Sequence, residues 1–214
     1  MFIELIDLLR CVNEHDDTWL VASFTQITNR FVMEGTLGCP ICSAEYPIRD
    51  GIADFTFGES IPACEDERAA AEHGREELAT RAGAYLDATQ PGATIVLGGL
   101  WAYAAQQLGE IAEVKVIALN APSEVTVSER VGLVRAAKRI PLAANSVHGA
   151  ALDAWFQRPI VADAARVVRP GGRIVGPAGF DRPQSAAVLA HDENYWVAEK
   201  AAEVIALRRG KASE

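Results

Sequence analysis

The sequence has no apolar run near the ~18–20 residues that a membrane-spanning helix needs, and this excludes a helical membrane protein. Its opening, MFIELIDLL, carries acids where a secretory signal has a basic region, so a cytoplasmic protein with no membrane contact is expected. Cysteine is scarce, at 4 in 214 residues, which is too few for a disulfide scaffold. There is no internal repeat and no low-complexity tract. Basic residues are few at the start: positions 1–90 hold 17 acids against 6 Lys and Arg, a net of −11, whereas 91–214 hold 12 against 14, a net of +2. So acidic a half repels a phosphate backbone, so nucleic acid is not expected as a partner and a basic protein partner, or a homodimer, fits better. What the chain does have is apolar material, 50% of its residues, enough for a sizeable core.

The cysteines are Cys11, Cys39, Cys42 and Cys64. Cys39 and Cys42 form a CPIC knuckle, and such a turn aims two thiolates at one point, half of a tetrahedral zinc site. Upstream, Cys11 and His15 in CVNEH are the pair able to supply the other half, with Cys64 as a stand-in for His15. Two other readings stand beside zinc. The knuckle is a reduced pair holding nothing, or it is a redox pair, although a redox C-x-x-C normally opens a helix after a strand and this one lies between apparent strands.

LLRC at the start and GCPICSAEYPIRDGIADF further on resemble the small zinc-ribbon proteins related to the activator subunit of tRNA and release-factor methyltransferases. Cys39, Cys42, Tyr46, Pro47, Ile48, Asp50, Gly51 and Ile52 match that pattern. The first knuckle departs from it, with its second cysteine missing and His15 offset. The resemblance implies a β ribbon over 1–57, zinc held by Cys11, His15, Cys39 and Cys42, and docking on a methyltransferase.

Residues 64–88 are rich in Ala and Glu with acids in the first turn, which predicts a helix with Leu78, Ala82, Tyr85 and Leu86 on one buried stripe. From Gly92 onward short apolar runs alternate with helical stretches, the pattern of a parallel sheet with crossover helices. ATIVLGG, VKVIALN, VGLVR, HGAALDA and GRIVGPAG read as five strands. WAYAAQQLGEI reads as the helix after the first, and 155–168 as an amphipathic helix stopped by Pro170 and two glycines. NYWVAEK and AEVIALRR are expected to close the sheet as an antiparallel pair.

ADAARVVRPGGRIVG, after the fourth strand, resembles the S-adenosylmethionine-dependent methyltransferases of the Rossmann-like class, as does IPLAANSVHGAALDA before it. This implies a Rossmann-like α/β sheet with helices on both faces, preceded by a small β zinc-ribbon-like domain. The expected division is 1–57 ribbon, 58–90 linker helix and 91–214 methyltransferase-like domain. The family's first loop is built of glycines so that backbone can lie against the cofactor. Here the loop reads Leu97, Gly98, Gly99, Leu100, Trp101, Ala102, Tyr103, so two of those glycines are aromatics. Asn120 stands where an acid would grip the ribose, and Ala136 where a polar residue would meet the adenine. Leu97, Gly98, Gly99 and Asn120 are therefore the expected remnants of an S-adenosylmethionine site. Trp101 and Tyr103 either fill the cofactor cavity or are core aromatics. Asp153, at the end of the fourth strand, is expected to cap the following helix, and His148 to be structural. His73 and His191 have no assigned role.

Three functional readings follow: a methyltransferase-like scaffold or partner subunit with a degenerate S-adenosylmethionine site, an active methyltransferase on a small molecule or protein, and an RNA methyltransferase. The last is disfavoured by the acidic half.

Overall fold

The computed structural model describes residues 1–61, 74–156 and 158–202. Eleven strands form one sheet in the order β1-β2-β3-β4-β7-β6-β5-β8-β9-β11-β10. The first four are the antiparallel ribbon: β1 (Val21–Thr28), β2 (Phe31–Gly38), β3 (Glu45–Arg49) and β4 (Ile52–Phe55). Tight turns fix its register. Asn29 and Arg30 join β1 to β2, and Asp50 and Gly51 join β3 to β4, each pair having both φ angles positive as a two-residue hairpin requires.

The five strands expected from Gly92 onward are all present and mutually parallel: β5 (Thr94–Gly98), β6 (Lys115–Leu119), β7 (Val131–Ala136), β8 (Val147–Ala151) and β9 (Val168–Pro177). Their apolar runs are buried on both faces, as a parallel sheet demands. β11 (Tyr195–Lys200) inserts antiparallel beside β9, and β10 (Ala186–His191) forms the outer edge. Helices α1 (Arg75–Leu86) and α2 (Ala105–Ile111) pack on one face, and α3 (Arg158–Val167) on the other. This is the expected Rossmann-like α/β sheet with a small β unit in front of it, and no helix among the described residues is long and apolar enough to cross a membrane.

Several local expectations shift. Of the helix expected over 64–88, α1 is the described part; residues 62–73, with Cys64 and His73, lie outside the described residues. Its buried stripe is Leu78, Ala79, Ala82 and Leu86. The loop expected to run straight into a helix at Trp101 first makes a 3-10 turn over Gly99–Ala104. Pro170 and the two glycines do not stop α3, which ends at Val167. They form a bulge inside β9, where Val147 pairs with Val168 but Gly149 with Arg173. The closing pair is also different from the one expected. β11 does carry NYWVAEK, but β9 and β10 occupy both of its edges, so AEVIALRR cannot be its partner. Asp192 closes the β10–β11 hairpin by accepting the Asn194 and Tyr195 amides at 2.8 and 2.7 Å.

The ribbon is built into the sheet. β4 runs parallel to β7, pairing Ile52 with Leu133 through Phe55 with Ala136. The segment before β1 lies on the sheet face beside it: Leu5 and Phe2 pack so closely on Gly132 that an added Cβ there would stand 2.7 Å from Leu5 Cδ2. The β7–β8 connection, 137–146, contains no helix, and Leu9 pairs with Leu142 across it. The N-terminal segment thus covers apolar sheet that a crossover helix would cover.

Candidate metal centre and the crevice at the switch point

The connection between β2 and β3 is the CPIC knuckle. Its turn is fixed by Cys39 N–H donating to Ala44 O at 2.8 Å and Ser43 N–H donating to Cys39 O at 2.9 Å, with Ser43 at φ 58°. Cys11 arrives from the segment before β1, and His15 from the bend that follows it. The one ligand atom from each of Cys11, His15, Cys39 and Cys42 lies within 4.8 Å of every other. Cys11 Sγ stands 3.6 Å from Cys42 Sγ, and Cys39 Sγ stands 3.3 Å from His15 Nε2. Ligands about 2.3 Å from one tetrahedral zinc lie about 3.8 Å apart, so this donor set fits zinc without rearrangement. The sequence-level quartet is brought together in full.

The surroundings orient the donors. His15 Nδ1 lies 2.7 Å from Asp16 O, which can only accept, so Nδ1 carries the proton and Nε2 presents its lone pair to the cluster. Tyr46, fully buried, accepts Val12 N–H at 3.4 Å and lies 2.9 Å from Cys11 Sγ, so its hydroxyl proton points at that sulfur. Burial pushes the Tyr46 hydroxyl well above its usual range and keeps it a donor. Asn13 Nδ2 donates to Cys42 Sγ at 3.3 Å, and this bond above all holds the Cys42 thiol down at about 6. Burial pushes the Cys11 thiol up. Tyr46 and Asn13 are the partners that spacing alone did not reveal; a tyrosine four residues past the knuckle was the only signal.

The other site lies at the top of the parallel strands. Strand order reverses between β5 and β8, and ligands of open α/β sheets sit in the crevice outside the carboxyl ends of the strands at such a point. Here that crevice is lined by Gly98 and Gly99 after β5 and by Leu152, Asp153 and Phe156 after β8. It is filled. A Cβ on Gly98 would stand 2.6 Å from the Phe156 ring and 2.8 Å from Leu152 Cδ2, and one on Gly99 (φ +62°) would overlap the Asp153 carboxylate. Asp153, 3% exposed, accepts the Leu100 amide from across the crevice and the Trp155 amide at 3.0 Å. Burial pushes its carboxyl up to about 6 against the pull of those two amides. The helix-capping role expected for Asp153 is half of what it does; the other half is the bond to Leu100.

The other remnants are also committed to the chain itself. Leu97 is core. Asn120, at φ 50°, donates Nδ2–H to Ala136 O and accepts Ala136 N–H at Oδ1, both at 2.8 Å, which ties the ends of β6 and β7 together. Trp101 and Tyr103 are core aromatics rather than cavity fillers: the Trp101 ring lies 5.0 Å from Tyr195 and 6.0 Å from Tyr85, on the α1 face, and Arg75 lies over Tyr103. His148 is structural, accepting Thr94 N–H at 3.2 Å, and burial lowers its pKa. S-adenosylmethionine does not fit these residues as they stand, because Asp153, Leu152 and Phe156 take the space beside the glycines and Asn120 has its amide bonded on both sides.

No protein-family model matches the sequence, and no curated protein matches it. Among solved structures, the chain is similar to the complex between the Haloferax volcanii Trm112 methyltransferase activator and a candidate methyltransferase, at 19% identity, TM-score 0.42, covering 53% of this chain and 57% of that one. It is also similar to a candidate S-adenosyl-L-methionine-dependent methyltransferase from Methanococcus maripaludis, at 14% identity and TM-score 0.46, covering 63% and 89%. A third is the MycE methyltransferase in complex with Mg, SAH and mycinamycin VI, at 12% identity and TM-score 0.44, covering 60% and 48%. This chain thus spans about half the length of the first and third of these structures. The neighbours are methyltransferases, and at such scores the strand order above, rather than the likeness, carries the fold.

Proposed function

We propose that this chain is a cytoplasmic methyltransferase-fold scaffold or partner subunit, with a degenerate S-adenosylmethionine site and a zinc-stapled ribbon fused in front. One observation carries the reading: the crevice at the switch point is closed by the chain's own Asp153, Leu152 and Phe156. The fused ribbon supports it, since a module whose resemblance implies docking here spends its β4 edge on its own sheet.

Cys11, His15, Cys39 and Cys42 would hold the zinc. Four protein donors leave no open position, so the metal would supply a structural cross-link rather than an activated water. The thiolates and the Nε2 lone pair bind, Tyr46 and Asn13 donate to the sulfurs, and the Asp16 carbonyl holds the proton on His15 Nδ1. Reduced thiols suit the cytoplasm.

Calorimetric titration with S-adenosylmethionine and S-adenosylhomocysteine tests the scaffold reading, which expects no binding. Elemental analysis tests the metal, with one zinc per chain expected. The competing reading is an active methyltransferase whose loop moves on binding. One observation favours it: the Trp101 indole N–H, two residues past Gly99, is buried with no acceptor, which costs about 1–3 kcal/mol that a rearranged loop would recover. Binding with a dissociation constant of about 10 μM or tighter would establish that reading instead.

A further inference from the structure

Three sets of contacts meet at one place, and they are not the contacts that a loss of glycines would create. In β5 and β8 the last paired residues are Leu97 and Ala151. Immediately beyond them the strands part, which is how a crevice opens where strand order reverses. Gly98 and Gly99 keep the small, positive-φ profile of a turn that must let something approach its backbone. What approaches is the other side of the crevice: the Phe156 ring and Leu152 over Gly98, and the Asp153 carboxylate over Gly99. Asp153 then bonds the Leu100 amide on the far side and the Trp155 amide on its own, so one buried carboxylate bridges the two walls. A carboxylate is a costly group to bury without a counter-charge, and an apolar side chain would fill the same volume more cheaply. Its presence is explained if it does what an apolar residue cannot, which is accept hydrogen bonds from the turn.

Resting on the closed-crevice reading above, we propose that Asp153 and Phe156 form a tethered plug: Asp153 is an internal ligand of the Gly99–Trp101 turn, and the crevice beneath the plug is retained rather than lost. The plug, and not Trp101 or Tyr103, is what keeps the crevice shut. Trp101 and Tyr103 face the α1 side of the sheet, so trimming them enlarges the core and leaves the crevice closed.

The test uses the full chain with Asp153→Gly, Phe156→Ala, the two together, and Trp101→Gly with Tyr103→Gly as the contrast. The first readout is amide hydrogen exchange at Leu100. Losing one charge-assisted acceptor is expected to raise it about 10- to 100-fold in Asp153→Gly, with Phe156→Ala alone giving less. The second is calorimetric titration with S-adenosylhomocysteine, for which binding is expected to be absent from the wild type and from the Trp101/Tyr103 pair, and to appear in the Asp153/Phe156 pair. Unchanged Leu100 exchange in Asp153→Gly overturns the internal-ligand assignment. Faster exchange with no binding in the Asp153/Phe156 pair overturns the retained crevice while the scaffold reading stands. Binding by the wild type overturns the scaffold reading and the plug together, and binding gained only in the Trp101/Tyr103 pair overturns the plug alone. If the glycine variant fails to fold, Asp153→Asn serves: it keeps the shape but has one acceptor for two amides, so exchange at Leu100 or Trp155 must still rise.

Discussion

The ribbon and the crevice are two candidate sites on one sheet, and they have opposite characters. In the ribbon, four donors from three separate stretches point at a common centre, and the groups around them donate to the sulfurs or fix the histidine tautomer. In the crevice, the groups that could face a ligand face one another: carboxylate to amide, ring to glycine, amide to backbone. A metal centre needs several convergent lone pairs, an arrangement that is costly unless something fills it. The first region is built around a missing centre, and the second is built to need none.

The largest effect should come from breaking the metal side. Cys39→Ser is expected to reduce bound zinc from one per chain to none and to cost about 3 kcal/mol or more, read as a fall in the urea midpoint, with chelator giving the same loss in the wild type. Equal midpoints with and without chelator would show that the ribbon is held by its apolar contacts alone.

Next comes the crevice, through pH. Asp153 titrates at about 6 in the folded chain against the ordinary carboxylate range when unfolded, so the folded state holds the proton more tightly. The sign follows: this group's contribution is fully present below about pH 4 and is lost as pH rises through about 6, by up to about 2–3 kcal/mol. Comparing urea midpoints of wild type and Asp153→Asn between pH 4 and 7 should show that slope only in the wild type. Parallel curves would place the Asp153 pKa in the ordinary range.

The joint between the two regions gives a smaller effect. Gly132→Ala drives a methyl against Leu5 and Phe2 where the N-terminal segment covers β7, at an expected cost of about 1–2 kcal/mol. Limited proteolysis should become faster in residues 1–20 while zinc content stays the same. The smallest effect is expected from Tyr46→Phe, which removes the hydrogen bond to Cys11 at about 1 kcal/mol and weakens zinc about tenfold in a competition titration.

Much of this was legible in the chain. The strands after Gly92 are short apolar runs that stay apolar on both faces, and the run itself dictates burial between helices. The four metal donors could be named because a C-x-x-C turn has one natural direction and only one pair lay upstream of it. Asn120 and the aromatics of the 97–103 loop were correctly singled out as departures, yet what each departure does was not readable. Asn120 bonds Ala136, 16 residues on, and that pairing exists only once β6 lies beside β7. Trp101 turns to Tyr85 and Tyr195, which reach it from α1 and β11.

Composition and local pattern determined the class of the fold, the ribbon and the donor set, because propensity, periodicity and turn chemistry act over a few residues. Tertiary structure decided the rest: that β11 pairs with β9 and β10, that the ribbon's β4 continues the sheet at β7, and that Asp153 bridges to Leu100, 53 residues away. These are contacts between elements distant in the chain. Their energy depends on which surfaces meet after the strands have been ordered, and no local window contains that information.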